Sequence, residues 1–149
     1  INKNIKNLTP VDDSFFEGLF SVQKDNLYAF PILSLLYPHL DYKNNDFHKD
    51  HIHAENLYQF LPEDLKQKYP FKVYNSILNL QMLDKNENES KGQKTLEEWV
   101  SLQCPQTDSR ERFLSSHLIP NVNLSLSNFE EFIEKRKEMI KKKLFEILV

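Results

Sequence analysis

The stretch "NDFHKDHIHAENL" (residues 45–57) holds Asp50, His51, His53 and His48, and so gathers three of the chain's five histidines. One-metal hydrolysis of a phosphodiester needs a hard divalent cation against the phosphate, a base for water, and groups that fix both. Hard cations prefer carboxylate and amide oxygens, and a neutral imidazole is the natural base near neutral pH. Asp50, His51 and a later asparagine could supply these parts. The segment "NSILNLQMLDKNENESKG" (residues 75–92) offers the asparagines. Alternation along a strand sends Asp50 and His51 to opposite faces, so both serve one ion only where the strand ends or bends. The same alternation puts His53 on the side of His51, where it could touch phosphate, join His51 on a metal, or fill space.

The elements that must position these groups can be read on either side. "NLTPVDDSFFEGLF" reads as a helix start, with Thr9 as cap, Pro10 at the first position, and Asp12 and Asp13 at the positive end of the dipole. "LYAFPILSLLYPHL" reads as a buried helix between Pro31 and Pro38, apolar on nearly all sides. After the polar loop "DYKNND" and the histidine stretch, "LPEDLKQKYP" is predicted as a short helix opened by Pro62 and closed before Pro70. "YNSILNLQML" is strand-like and would hold Asn79 inside an apolar strand, where it needs a hydrogen-bond partner.

"DKNENESKGQ" is a short helix stopped by Gly92, and "TLEEWVSLQ" a helix with Thr95 and Glu98 as a capping box and Trp99 as core anchor. "CPQTDSRER" is linker-like and "HLIPNVNLSL" extended or irregular. "SNFEEFIEKRKEMIKKKLFEIL" is the clearest helix. Ser127 and Glu130 suit a capping box, and Phe129, Phe132, Ile133, Ile140, Leu144 and Leu148 form its apolar stripe. Lys135, Arg136, Lys137 and Lys141 to Lys143 crowd its later turns, as a solvated face or as a strip along a DNA backbone.

Composition bounds the rest. The chain has 149 residues, 40% hydrophobic and 12% aromatic, with a net charge of -3. That suits one domain with a real core and excludes the strong basic footprint of a non-specific DNA binder. The single Cys104, read as an inert thiol, excludes an internal disulfide and a cysteine-based zinc site. No apolar run reaches the roughly 20 residues of a membrane span. A first residue of Ile rather than Met suggests a piece of a longer protein, expected to be soluble and cytoplasmic, with no membrane partner.

"DHIH" at 50–53, Asn79, and "NESK" at 88–91 resemble an HNH nuclease of the His-Me finger superfamily. The nine-residue step from Asn79 to Asn88 is similar to that in the HNH domain of RNA-guided CRISPR nucleases. "SLLYPHLDYKNNDFHKDHIH", "ILNLQMLDKNENESKGQKTLEEWV" and "HLIPNVNLSLSNFEEFIEKRKEMI" extend the resemblance from about Leu33 to the C-terminus. They are similar to the C-terminal HNH region of large bacterial proteins with an N-terminal ParB-like nucleotide-hydrolysing domain, the GmrSD-type modification-dependent restriction enzymes among them.

The resemblance implies an α+β fold, mostly helical, with an embedded ββα-metal (His-Me) finger. Together with the elements read above, this gives a single domain with N-terminal helices at 1–40, which carry little of the resemblance, the finger region at 41–103, and a linker with a C-terminal amphipathic helix at 104–149. It implies a metal-dependent endonuclease for double-stranded DNA in restriction or phage defence, partnered by a ParB-like domain of the same longer protein. His51 would be the general base. Asp50 and Asn88 would hold one Mg2+, Mn2+ or other transition-metal ion. Asn79 would brace the loop carrying the base, Lys91 and His53 would contact phosphate, and products would carry 5′-phosphate and 3′-hydroxyl ends. Asn86 competes with Asn88 for the metal, but "NESK" reproduces the Asn-to-Lys spacing. His48 reads as support, and His39 and His117 as ordinary surface or core residues. Family members often have Pro where this chain has Ala54, and the chain lacks the CxxC ribbons that brace some HNH domains. The alternative is a degenerate HNH-like module that binds nucleic acid or a protein partner without cutting.

Overall fold

A computed structural model describes residues 11–149. Thr9 and Pro10, the expected helix opening, lie outside them. Helix α1 (Asp13–Phe20) is capped by Asp12, whose side chain accepts the Phe15 N–H at 3.0 Å. Helix α2 (Ala29–Leu36) begins before Pro31 rather than after it, because a proline in the first turn forfeits only an N–H that has no helical partner. It buries Ala29, Leu33 and Leu36 but leaves Phe30 and Leu35 partly in solvent, so a helix that is apolar nearly all round is buried on one side only.

The fold is α+β. Strand β1 (Phe47–His51) pairs antiparallel with β2 (Leu80–Asp84), in the register Phe47↔Asp84 through Asp50↔Gln81 to His51↔Leu80. Between them lie a 3₁₀ turn (Glu55–Phe60), α3 (Glu63–Lys68), α4 (Phe71–Tyr74) and a second 3₁₀ turn (Ile77–Asn79). The expected apolar strand through Asn79 is therefore shorter than its sequence suggests. Ser76 accepts the Leu78 N–H and closes a turn, so the strand starts only at Leu80.

Helix α5 (Lys85–Lys91) follows β2 without a break. Asp84 and Glu87 form a full capping box at its start, and Gly92 ends it at φ 47°, a conformation that suits a residue without Cβ. Helix α6 (Leu96–Gln103) starts at Thr95, whose hydroxyl accepts the Glu98 N–H at 3.2 Å, and it buries Trp99 fully. The segment expected as linker is a helix, α7 (Thr107–Ser116). It is polar almost throughout, and Leu114, packed into the core beside half-buried Phe113, is its main anchor.

The last helix, α8 (Phe129–Leu148), follows a 3₁₀ turn (Leu126–Asn128). That turn displaces the helix start, so Ser127 does not cap it, and Glu130 pairs instead with Lys68. Phe129, Phe132, Ile133, Ile140 and Leu144 are buried as the stripe predicts, and Leu148 is largely exposed. Burial of each of these side chains contributes about 1.5–3 kcal/mol.

Arg136 departs from the expected basic strip. It is 0% exposed and donates four hydrogen bonds: to the carbonyls of Leu118 (2.9 Å), Ile77 (2.8 Å) and Leu80 (2.6 Å), and to Tyr37 Oη (3.0 Å). It joins α8 to the start of β2, a task that five N–H donors in a planar fork suit. No helix among the described residues is long and apolar enough to cross a membrane.

Candidate functional site

The site is built where β1 ends. Ile52 N–H donates to the Asn79 carbonyl at 2.8 Å, continuing the ladder one step past His51. The chain before Asn79 then turns away, and the Asn79 side chain replaces the missing strand partner. Its Oδ1 accepts the His53 N–H at 2.9 Å, and its Nδ2 donates to the carbonyls of His53 and Tyr74, both at 3.0 Å. A carboxamide has the donor–acceptor pattern of a peptide group, which is why an asparagine can sit here at 0% exposure.

The neighbouring backbone is equally fixed. Lys91 Nζ donates to the His51 carbonyl at 2.8 Å, and Tyr74 Oη donates to the Ala54 carbonyl at 2.7 Å. Ala54 itself has φ -55°, within the range a proline would impose. The segment from His51 to Ala54 is thus held by three side chains from three other elements.

Asp50 and His51 turn to different partners, as alternation requires. Asp50 Oδ2 accepts from Gln81 Nε2 at 3.1 Å and pairs with Lys91 Nζ at 3.3 Å, with 18% of its side chain exposed. His51 is 4% exposed; its Nε2 lies 2.7 Å from Asn75 Oδ1, and its ring stacks near Tyr74. Burial, more than any other influence, holds the His51 imidazole below its ordinary pKa. The Asn75 hydrogen bond opposes that shift, nearby Lys24 adds to it, and Glu55 and Asp50 oppose it. The ring is neutral at neutral pH, with a lone pair to offer.

Lys91 is 1% exposed and has its ammonium committed to Asp50 and the His51 carbonyl, over the face of Trp99. Burial lowers its pKa, and Asp50 opposes that shift. Its place is inside the site, without the free surface that an expected phosphate contact would use. His53 is likewise 1% exposed, with Phe129 and Phe132 edge-on to its ring at 5.5 and 4.6 Å, and its Nε2 has no partner. Burial, and then Lys91, push its pKa down to about 3. It is a neutral core residue, not a surface on which a phosphate could rest.

Asn88 lies one turn before Lys91 on α5, and so on the same helix face. It lines a cleft of about 630 Å³ with His48, Asp46, Asp84, Asn86 and Glu89. Asp50 is not among the residues lining that cleft; its carboxylate is engaged by Gln81 and Lys91, although carboxylate and amide oxygens are the donor types a hard cation prefers. Among the described residues, no three His, Cys, Asp or Glu side chains gather as a metal-holding group.

Sequence reasoning did not find Asn75, Gln23 or Lys24. Gln23 forms an isolated bridge with Ser76, and Lys24 N–H donates to the Asn75 carbonyl at 3.0 Å, which brings the segment after α1 against the His51 ring. Lys49, on the His51 face of β1, donates to the Lys24 carbonyl. The Lys24 charge is close enough to act on both His51 and Lys91, and it enters none of the ion pairs among the described residues. Only the polar pair Asn75–Ser76 ahead of an apolar run hinted at this side of the site. His117 pairs with Glu87 at 3.0 Å and stacks on Phe113, a structural role, and His39 is exposed beside Tyr37. No protein-family model matches the chain, and no curated protein does either.

Proposed function

We propose that the chain is a metal-dependent DNA endonuclease domain whose hairpin and α5 form an HNH-type ββα-metal finger. In this reading it serves a cytoplasmic bacterial restriction or phage-defence protein that also carries a ParB-like domain. One observation carries the reading. Asn79, Lys91 and Tyr74 fix the backbone from His51 to Ala54, and the buried His51 imidazole at its head is kept neutral beside Asp50. A structural histidine needs no such brace; a base that must meet a water in one orientation does.

His51 takes a proton from water as the oxygen attacks phosphorus, and the P–O3′ bond breaks with its electron pair leaving on the 3′ oxygen, which is then protonated by solvent. Asp50 and Asn88 would hold the divalent ion, whose chemistry is to neutralise charge on the phosphate and the departing oxygen. Lys91 orients the Asp50 carboxylate and the carbonyl of the base itself. Lys24, partly exposed and with its N–H bonded to the Asn75 carbonyl, would supply a cation for substrate phosphate.

The test is a plasmid-nicking assay with Mn2+ and with Mg2+, comparing the parent with His51→Ala. Nicking that the parent performs and the variant loses by about 10²-fold or more supports the reading. A gel shift with no cutting by the parent in any divalent metal transfers support to a DNA-binding module.

A further inference from the structure

Two polar side chains behind the His51 ring, Asn75 and Gln23, form a chain whose polarity is set at its far end. Gln23 Nε2 lies 2.6 Å from the Lys72 carbonyl and 3.0 Å from the Ser21 carbonyl. Carbonyl oxygens only accept, so this atom must be the amide nitrogen, and Gln23 Oε1 must face Asn75. Asn75 Nδ2 donates to that oxygen at 3.0 Å, which turns Asn75 Oδ1 toward His51 Nε2 at 2.7 Å. Flipping either amide would set oxygen against oxygen at these distances. Asn75 is itself anchored, its N–H donating to the Phe71 carbonyl at 2.8 Å and its carbonyl accepting from Lys24 at 3.0 Å.

Resting on the nuclease reading above, we infer that Gln23 and Asn75 are positioning residues that hold His51 as its Nε2–H tautomer, so that Nδ1 is the atom that takes the proton from water. An acceptor fixed at 2.7 Å requires a hydrogen on Nε2, and a neutral imidazole carries only one. The lone pair is then on Nδ1, for which no hydrogen-bond partner is found among the described residues. Tyr74, stacked beside the ring at 6.5 Å between centroids, limits its rotation. The base is therefore prepared by the N-terminal segment, through Gln23, and not by the hairpin alone.

The experiment reads the tautomer directly, by two-bond proton–nitrogen correlation spectra of the ¹⁵N-histidine-labelled chain at about pH 8, above the ordinary imidazole range. His51→Ala assigns the signal. The parent is expected to show His51 protonated on Nε2, and protonation on Nδ1 overturns the inference. Asn75→Ala is expected to give a mixture of tautomers, whereas Asn75→Asp, which keeps an acceptor oxygen, retains the Nε2–H form. A pure Nε2–H signal in Asn75→Ala overturns the relay. Should Asn75→Ala not fold, Gln23→Leu is read in its place: a mixed tautomer is expected, and an unchanged one overturns the relay.

Nicking rates at saturating DNA are expected to fall about 10- to 100-fold in Asn75→Ala, with half-saturation unchanged and recovery in Asn75→Asp, the scale typical of removing a partner that orients a functional histidine. The two ideas fail separately. A parent that never cuts removes the nuclease reading and leaves the tautomer assignment standing, and the wrong tautomer in an active parent removes only the relay.

Discussion

Asn79 and His53 are joined twice, through the His53 N–H at 2.9 Å and the His53 carbonyl at 3.0 Å, so one carboxamide completes the peptide pairing of a strand that has already ended. Together with its bond to the Tyr74 carbonyl, this ties the turn after His51 to the segment before β2.

Asn79→Ala leaves three buried backbone groups without partners, at about 1 kcal/mol each. A loss of about 3 kcal/mol is expected in urea denaturation. Asn79→Asp fares no better, since it keeps one acceptor and loses both donations. A change under about 1 kcal/mol would show that the turn is held without it.

His53 gives stability a steep acid limb. Its folded pKa of about 3 lies below the unfolded value of 6.5, so over that interval the unfolded chain binds a proton that the folded one refuses. Stability is whole above about pH 6.5 and falls by roughly 4–5 kcal/mol as the pH drops to about 3. Urea midpoints of His53→Leu across this range should decline less than the parent's, and parallel curves would sink the assignment.

Arg136→Lys should cost about 2–4 kcal/mol, because one ammonium cannot span the acceptors of Leu118, Ile77, Leu80 and Tyr37. Lys135→Ala on the exposed side of α8 should cost under about 0.5 kcal/mol. Thermal or urea melts of the two variants make the comparison, and equal losses would contradict the buried role of Arg136.

Lys24→Ala should weaken DNA binding and lower the slope of log affinity against log salt by about one. A titration series by fluorescence anisotropy at several salt concentrations checks this. An unchanged slope would remove Lys24 from the phosphate path.

Spacing made half of this neighbourhood readable. Asp50, His51, Asn79 and Lys91 stand out by type and spacing. The structure joins Lys91 to Asp50 and to the His51 carbonyl, and Asn79 to the His53 backbone, while the Asp50 and His51 side chains turn to different partners. Helix boundaries marked by proline, glycine and threonine, at Pro62, Gly92 and Thr95, were also legible, because local chemistry fixes them. Gln23 and Asn75 were not, since an amide's partner is a fact of tertiary contact that no local pattern encodes. Arg136 was misread for the reverse reason. It stands in a lysine-rich run, and only three-dimensional packing shows that its fork meets carbonyls and not solvent. Helix α7 escaped notice because it offers little apolar periodicity beyond Phe113 and Leu114.

Arg136 also sets an order of events. A ribosome makes Asp50, His51, Asn79 and Lys91 before it makes the side chain that fastens α8 to the carbonyls of Ile77 and Leu80. The hairpin residues emerge first and their fastening to α8 comes last, so a nascent chain holds these side chains well before it holds the arginine that ties the start of β2 in place.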